Sequence, residues 1–308
     1  MKRLPQIALL ADGKRLHLQD GPIDLIIEAK GQEAEIRAAY DAAARRFTGL
    51  LDELCEELTA LRQAADPVRC LLQGVVARRM HAAVAPLASD HFITPMAAVA
   101  GSVAEEILGA MLGAARLGRA YVNNGGDIAL HLSVGEQFSV GLMDRPDRHG
   151  LMRMMTVDAD DPARGIATSG RHGRSFSLGI ADAVTVLART ASKADAAATI
   201  IANAVDLPGN PRIIRCPANE LQLDSDLGAR LVTRDVGVLS EDEIDRALRA
   251  GANQAQQLLV AGLIEGAALC LLGETVVVGT TAVEMPALQA HHGNAIERLS
   301  MLDREQGQ

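Results

Sequence analysis

The apolar run of residues 23–29 (IDLIIEA) predicts a strand. From residue 31 to 64 the apolar positions Ile36, Tyr40, Ala43, Phe47, Leu50, Leu51, Leu54 and Leu58 recur at helical spacing, predicting one long amphipathic helix that Pro67 ends. A second helix is predicted from Val68 to Val84, ahead of Pro86. Residues 96–117 are small or apolar on every side, which predicts a helix buried against a sheet.

The segment AYVNNGGDIALHL then reads as a strand, a Gly-Gly break and a second strand, followed by a further strand at 138–144 (FSVGLMD). GIATSG leads through RHGRSFSLG to ADAVTVLA, whose β-branched residues predict another strand, and Ser192 opens a helix through Val205. Between Leu207 and Leu239 a rise in Pro, Gly, Asn and Asp predicts a long surface loop with short strands. Ser240 and Glu243 form a capping-box pair that starts a helix over 241–264, and ALCLL-GE-TVVVGT closes as a hairpin through Gly273. Helices and meandering strands without regular βαβ repetition predict an α+β fold, with mixed or antiparallel sheets packed against long helices. One domain over residues 1–308, single-bodied or two-lobed, accommodates this order, and no internal repeat is evident.

Composition narrows the partners. Hydrophobic residues make up 48% of the 308 positions and aromatic residues only 2%, so aliphatic side chains must fill the core and no platform for stacking nucleic-acid bases is available. The formal charge of −9 opposes nucleic acid or an anionic membrane as partner. Cys55, Cys70, Cys216 and Cys270 lie far apart without C-x-x-C spacing, which predicts reduced thiols rather than a zinc site or disulfide framework. The run Ile7 to Ala11 is too short for a signal segment, and no stretch is read as approaching the ~20 apolar residues of a membrane span. The expected location is cytoplasmic.

Three segments could carry chemistry. In Asn123-Asn124-Gly125-Gly126-Asp127 the glycines let backbone approach a ligand while Asn and Asp add side-chain hydrogen bonds; a plain hairpin turn explains the same residues. Thr168-Ser169-Gly170 can hold a phosphate or polyol, or bond its own backbone, and His172 lies nearby. Asp195 and Thr199, four residues apart, place a carboxylate and a hydroxyl on one helical face, hard oxygen donors suited to Mg²⁺. Ser192 to Asp195 equally fits a capping box. Other candidates fail: His291 and His292 are adjacent, Ser169 is in no nucleophile elbow, Gly109, Gly113 and Gly118 form no dinucleotide fingerprint, and Arg78-Arg79 reads as a solvated helix face.

The order of these segments is more specific than any one of them. A small-residue helix around Ala97 to Leu108, then AYVNNGGDI, then IATSG, then a strand and KADAAATIIANAV, resembles the ApbE family of FAD:protein FMN transferases over roughly residues 20–206. That resemblance implies an ApbE-like fold and an activity in which FAD is split with Mg²⁺ at the pyrophosphate and FMN passes to an acceptor protein. It implies Asp195, Thr199 and a backbone carbonyl near Ala97 as metal contacts. Asn124, Gly125, Gly126, Asp127, Thr168, Ser169 and Gly170 would lie beside the flavin nucleotide.

The chain departs from the family pattern where a helix start of the form D-L-G-G-I-A-K-G-Y is expected: Thr94 stands at the Asp position and Ala100 at the Lys position. An H-x-I-D-P segment is missing, and Arg171, His172 or Arg174 would have to compensate. Two functions follow. One is a Mg²⁺-dependent enzyme on FAD or a related nucleotide, transferring flavin phosphate or hydrolysing the pyrophosphate; the other is a non-catalytic ligand-binding or interaction protein that keeps the fold. Either expects Asn123 to Asp127, Thr168 to Gly170 and Asp195 to meet in one cleft.

Overall fold

In the computed structural model of the protein, residues 4–142, 153–279 and 283–284 are described. Fourteen strands alternate with eight α-helices among them. The strands are β1 (Gln6–Leu9), β2 (Leu16–Asp20), β3 (Ile23–Lys30), β4 (Arg119–Asn124), β5 (Asp127–Leu132), β6 (Gln137–Leu142), β7 (Arg153–Asp158), β8 (Gly165–Ser169), β9 (Ala183–Ala188), β10 (Ile213–Pro217), β11 (Leu231–Val236), β12 (Gly266–Leu271), β13 (Glu274–Gly279) and β14 (Val283–Glu284). Nine of them form one sheet in the order β1-β2-β3-β4-β5-β8-β9-β12-β13, and every neighbouring pair is antiparallel. The fold is α+β, and the absence of parallel crossovers in this sheet agrees with the missing βαβ rhythm in the sequence.

The helices are α1 (Glu33–Phe47), α2 (Leu50–Glu56), α3 (Leu58–Leu61), α4 (Val75–Val84), α5 (Val99–Ala114), α6 (Ala191–Ala204), α7 (Ala218–Leu221) and α8 (Glu241–Val260). The main core lies between one face of the nine-stranded sheet and α1, α4, α5, α6 and α8, and Leu18, Leu25, Ile27, Phe47, Ile107 and Ile201 are fully buried within it. In β3 the pattern is strictly two-sided, with Ile23, Leu25 and Ile27 inward and Asp24, Ile26 and Glu28 on the other face. Burial of a Leu or Ile side chain contributes about 1.5–3 kcal/mol, so these rows hold the sheet against its helices.

Two predicted helices are shorter than their periodicity suggests. The helix expected over 31–64 breaks at Thr48 and Gly49, because Gly49 adopts a left-handed φ of 87° and turns the chain, so α1, α2 and α3 follow one another at new angles. The helix expected from Val68 begins only at Val75. Asp66 draws the N–H groups of Val68 and Arg69 to its own carboxylate, and Glu57 takes those of Gln73 and Gly74, so competing acceptors hold 66–74 out of helix. A further correction concerns Pro95–Ala114, a helical stretch whose length and mean hydropathy of 1.4 are sufficient to cross a membrane. Val103, Ala104, Ile107 and Met111 along it are buried in the main core.

β9 is buried along all six residues, which its continuous apolar sequence requires. One face looks into the helical core; the other is covered at Leu187 by a small cluster with Leu130, Ile166, Met155 and Val157. The last two come from β7, part of a three-stranded sheet of order β14-β7-β6. β10 and β11 form a two-stranded ribbon within the predicted loop region, and Ser240 and Glu243 make the predicted reciprocal capping box at the start of α8. The predicted β12–β13 hairpin turns through Leu272 and Gly273, both with positive φ (50° and 92°). The expected 138–144 strand is seen as β6 up to Leu142, and its last two residues lie outside the described ones.

Candidate functional site

Asn124 and Asp127 are the paired residues that flank the β4–β5 turn, in which Gly125 and Gly126 take φ of 65° and 115°. Only glycine adopts both values without strain, so the Gly-Gly pair fixes a two-residue turn with Asp127 at its exit. Asn123 Oδ1 accepts from the Gly126 N–H at 2.8 Å and closes the turn from within. Asn124 points the other way: its Nδ2 donates to the Ala100 carbonyl at 3.2 Å and ties the turn to the start of α5.

That helix start is bound from the opposite side by Asp195 of α6, whose Oδ2 accepts from the Gly101 N–H at 3.0 Å. Asp195 therefore satisfies amides that α5 leaves open at its first turn, a cap supplied by another helix. The converse contact exists too, because Glu105 of α5 accepts from the Ser192 N–H at 2.6 Å in the first turn of α6. The two helix starts approach so closely that a Cβ on Gly101 would lie 2.3 Å from the Ala191 carbonyl oxygen. Asp127 reaches across to β8, its Oδ1 accepting from the Thr168 N–H at 3.2 Å, and Thr168 Oγ1 lies 2.9 Å from Thr185 Oγ1 on β9. The β4–β5 turn, β8, β9 and the starts of α5 and α6 are thus linked.

Asp127 and Asp195 are near neighbours and half-buried. Burial pushes the Asp127 carboxyl up to about 7, against the opposing pull of the Thr168 N–H and the Arg174 charge. Burial also holds Asp195 well above the ordinary carboxylate range, and the neighbouring Asp127 charge adds to it, opposed by the N–H groups of Gly101 and Ala100. Two neighbouring carboxylates disfavour joint ionisation unless a cation joins them.

Among the described residues no group of three or more His, Cys, Asp or Glu side chains is placed to hold a metal. The oxygen donors present beside one another are the two carboxylates of Asp127 and Asp195. Thr199 lies one turn along α6 from Asp195, on the same face and half-buried. Ala97 sits in the short 3₁₀ turn Pro95–Ala98 just before α5, while the backbone groups that touch Asp195 belong to Ala100 and Gly101. Ser169 and Gly170 end β8 and enter the 170–182 loop.

Several sequence readings change. Ser192 does not cap α6; Thr190 does, its side chain accepting from the Lys193 N–H, so Asp195 is not a cap of its own helix. Arg79 is not solvated: it is half-buried, with Nη1 2.8 Å from Glu106 and Nε 3.3 Å from Glu105. Arg171 and His172 both engage the buried Asp182, at 2.6 Å and 3.1 Å, and its Oδ2 accepts from the Leu272 N–H at 2.6 Å. Thr94 is buried and donates to Asp226 at 2.5 Å, which brings a carboxylate from the β10–β11 connection to the start of α5. Glu105, Asp182 and Thr185 carry no motif that marks them, since each meets its partners only when separate elements pack together. His291 and His292 lie outside the described residues. A separate open depression, lined in part by Arg212, Asp242, Asp245 and Arg249, contains none of the site residues, and Arg212 and Arg249 are already paired there with Glu243 and Asp245.

Comparison with known proteins bears out the resemblance at the level of family. The family described as AbpE bacteria matches residues 7–277. A UPF0280 protein of Methanopyrus kandleri is 36% identical over 182 residues, covering 58% of this chain and 69% of its own length. UPF0280 proteins of Methanosphaerula palustris and Archaeoglobus fulgidus are 42% and 37% identical over 125 and 141 residues, covering 37% and 46% of this chain. Those two matches span about half of each relative, 47% and 54%. A crystal structure of the Pseudomonas stutzeri flavinyl transferase ApbE, apo form, aligns with 89% of this chain and 94% of its own at 11% identity and a TM-score of 0.46.

Proposed function

The chain belongs to an ApbE-like family, the one described as AbpE bacteria, and we propose that it binds Mg²⁺ together with FAD or a related nucleotide in the crevice between Asp127 and Asp195. The observation that carries this reading is the pair of adjacent half-buried carboxylates, both held above their ordinary range and each oriented by backbone N–H groups of other elements. A bound Mg²⁺ would neutralise the pair and stabilise negative charge on a pyrophosphate. Asp195 and Asp127 would hold the ion, with Thr199 and the carbonyls around Ala97 as further oxygen donors. Asn124 holds the start of α5 in place, and Thr168 orients Asp127. Ser169 and Gly170, with the Gly125–Gly126 turn, would line the nucleotide side.

A second reading, binding without transfer, is favoured by Ala100, which brings an uncharged methyl where the family pattern has Lys. Arg171 and His172, two of the nearby groups of positive or titratable character, are engaged with Asp182. In this reading the protein sits in the cytoplasm and holds a nucleotide, and an acceptor protein receives little or no FMN from it.

Calorimetric titration of FAD into the full chain with and without Mg²⁺ tests the first reading. Mg²⁺-dependent binding that Asp195→Ala weakens at least tenfold supports it, and equal affinity in the variant and wild type would sink it. Mass spectrometry of a Ser/Thr acceptor peptide incubated with FAD, Mg²⁺ and the protein separates the two readings, and efficient flavin-phosphate attachment would overturn the second.

A further inference from the structure

Four backbone donors beside Asp127 and Asp195 are already in use. The N–H groups of Gly101 and Ala100 face Asp195, that of Thr168 donates to Asp127, and that of Gly126 donates to Asn123. The start of α5, which by its dipole would suit a phosphate, is therefore occupied by a carboxylate of the protein itself. Two acidic side chains in addition repel a diphosphate. A side-chain cation would offset this repulsion.

The cations around the crevice are not equivalent. Arg171 is mostly buried and paired with Asp182, as is His172. Lys193 precedes Asp195 by two residues, which turns it about 200° away around α6. Arg174 differs from all of these. It is exposed, its Nη1 donates to the Pro22 carbonyl at 3.0 Å, and its Nη2 and Nε make no hydrogen bond with the described residues. The guanidinium lies across the β4–β5 turn, since a Cβ built on Gly125 would fall 2.3 Å from Nη2 and 3.4 Å from Nε. The loop that carries it is anchored on both sides. The Arg171 N–H donates to the Ala181 carbonyl at 2.9 Å, the Gly173 N–H to the Gly170 carbonyl at 3.0 Å, and Asp182 holds Arg171 and His172.

We propose that Arg174 is the group that receives the diphosphate of the ligand, its Nη2 and Nε donating to non-bridging phosphate oxygens above the Asn123–Gly126 turn. This rests on the reading of the crevice as a Mg²⁺–nucleotide site. The planar guanidinium presents two parallel donors, a geometry that matches a phosphate edge, and the tie through Nη1 to Pro22 fixes the fork before the ligand arrives. A side chain at 125 would push the guanidinium off the turn, so a glycine there leaves the fork its place.

The test is calorimetric titration of inorganic pyrophosphate into the full chain, with and without Mg²⁺, for wild type, Arg174→Ala and Arg174→Lys. Loss of a charge-assisted pair weakens binding by about tenfold or more, so Arg174→Ala should raise the Kd by that factor, with Lys recovering part of it. The side chain is exposed, so the melting temperature should stay near wild type. Mg²⁺-dependent binding that is within twofold of wild type in Arg174→Ala overturns the role of Arg174 and leaves the metal reading standing. Binding that ignores Mg²⁺ but falls in Arg174→Ala supports Arg174 and removes the metal reading. Absence of pyrophosphate binding by the wild type overturns the proposal.

Discussion

Asp195 caps a helix to which it does not belong: its carboxylate, on α6, takes the N–H of Gly101 in the first turn of α5 at 3.0 Å. One side chain thereby has a structural task and a place in the candidate site, and the two can be separated by substitution. Asp195→Ala removes the acceptor and should cost about 1 kcal/mol of stability without ligand. Asp195→Asn keeps an acceptor for Gly101 while it brings no charge to a metal, so its unliganded melting should stay closer to wild type. Both should lose Mg²⁺-dependent FAD affinity. Retained affinity in both would leave Asp195 as a cap only.

The acidic pair predicts how the metal-free protein responds to pH. The Asp127 carboxyl keeps its proton to about 7 in the fold, whereas the ordinary value is 3.8. Between those values the folded state binds more protons than the unfolded one, so stability from this group is present at low pH and is lost as pH rises through about 7. Melting in chelator from pH 4 to 8 should decline more steeply for wild type than for Asp127→Asn, and Mg²⁺ should raise the wild-type midpoint more at pH 8 than at pH 5. Parallel pH profiles for wild type and Asp127→Asn would contradict the raised carboxyl.

Gly101 is the contact point of α5 and α6. A single methyl added there falls 2.3 Å from a backbone oxygen of Ala191, which cannot rotate away. Gly101→Ala should destabilise by about 1–3 kcal/mol, the usual cost of overpacking, and should shift the Asp195 cap with it. Urea unfolding gives the number; a variant as stable as wild type would show that the helices part freely.

Some of this was legible in the chain and some was not, along a clear physical line. The Asn123–Asp127 turn, the Ser240–Glu243 capping box and the hairpin at Gly273 are local devices, and sequence displays them because a few adjacent residues determine the backbone. The breaks at Gly49 and before Val75 were hidden inside good helical spacing, since one positive φ or one competing carboxylate overrules periodicity. Thr190 was missed as the cap of α6 because Ser192 offered a more obvious pattern two residues later. The roles of Glu105 and Asp182 could not be read at all, because Glu105 meets Ser192, 87 positions on, while Asp182 joins Leu272, 90 positions on, to Arg171 and His172 across an irregular loop.

Asp182 is nearly inaccessible and joins Arg171, His172 and the Leu272 amide. Asp182→Ala should destabilise by about 3–5 kcal/mol, because it leaves a largely buried guanidinium without its partner and the Leu272 N–H without its acceptor. Thermal unfolding measures this. A loss below 1 kcal/mol would mean that water replaces the carboxylate at little cost.

The paired caps also bear on how the chain assembles as it is made. The Gly101–Asp195 and Ser192–Glu105 bonds span 94 and 87 positions, and each completes a helix that comes from the other side of the span. Until residue 195 has left the ribosome, the Gly101 N–H in the first turn of α5 lacks the carboxylate that accepts from it, however strongly the sequence favours helix. Closing so long a span costs entropy before any contact repays it, so this junction is expected to form late. In nascent chains stopped before residue 190, the Gly101 amide should then exchange freely with solvent, and protection there would show that the helix start orders on its own.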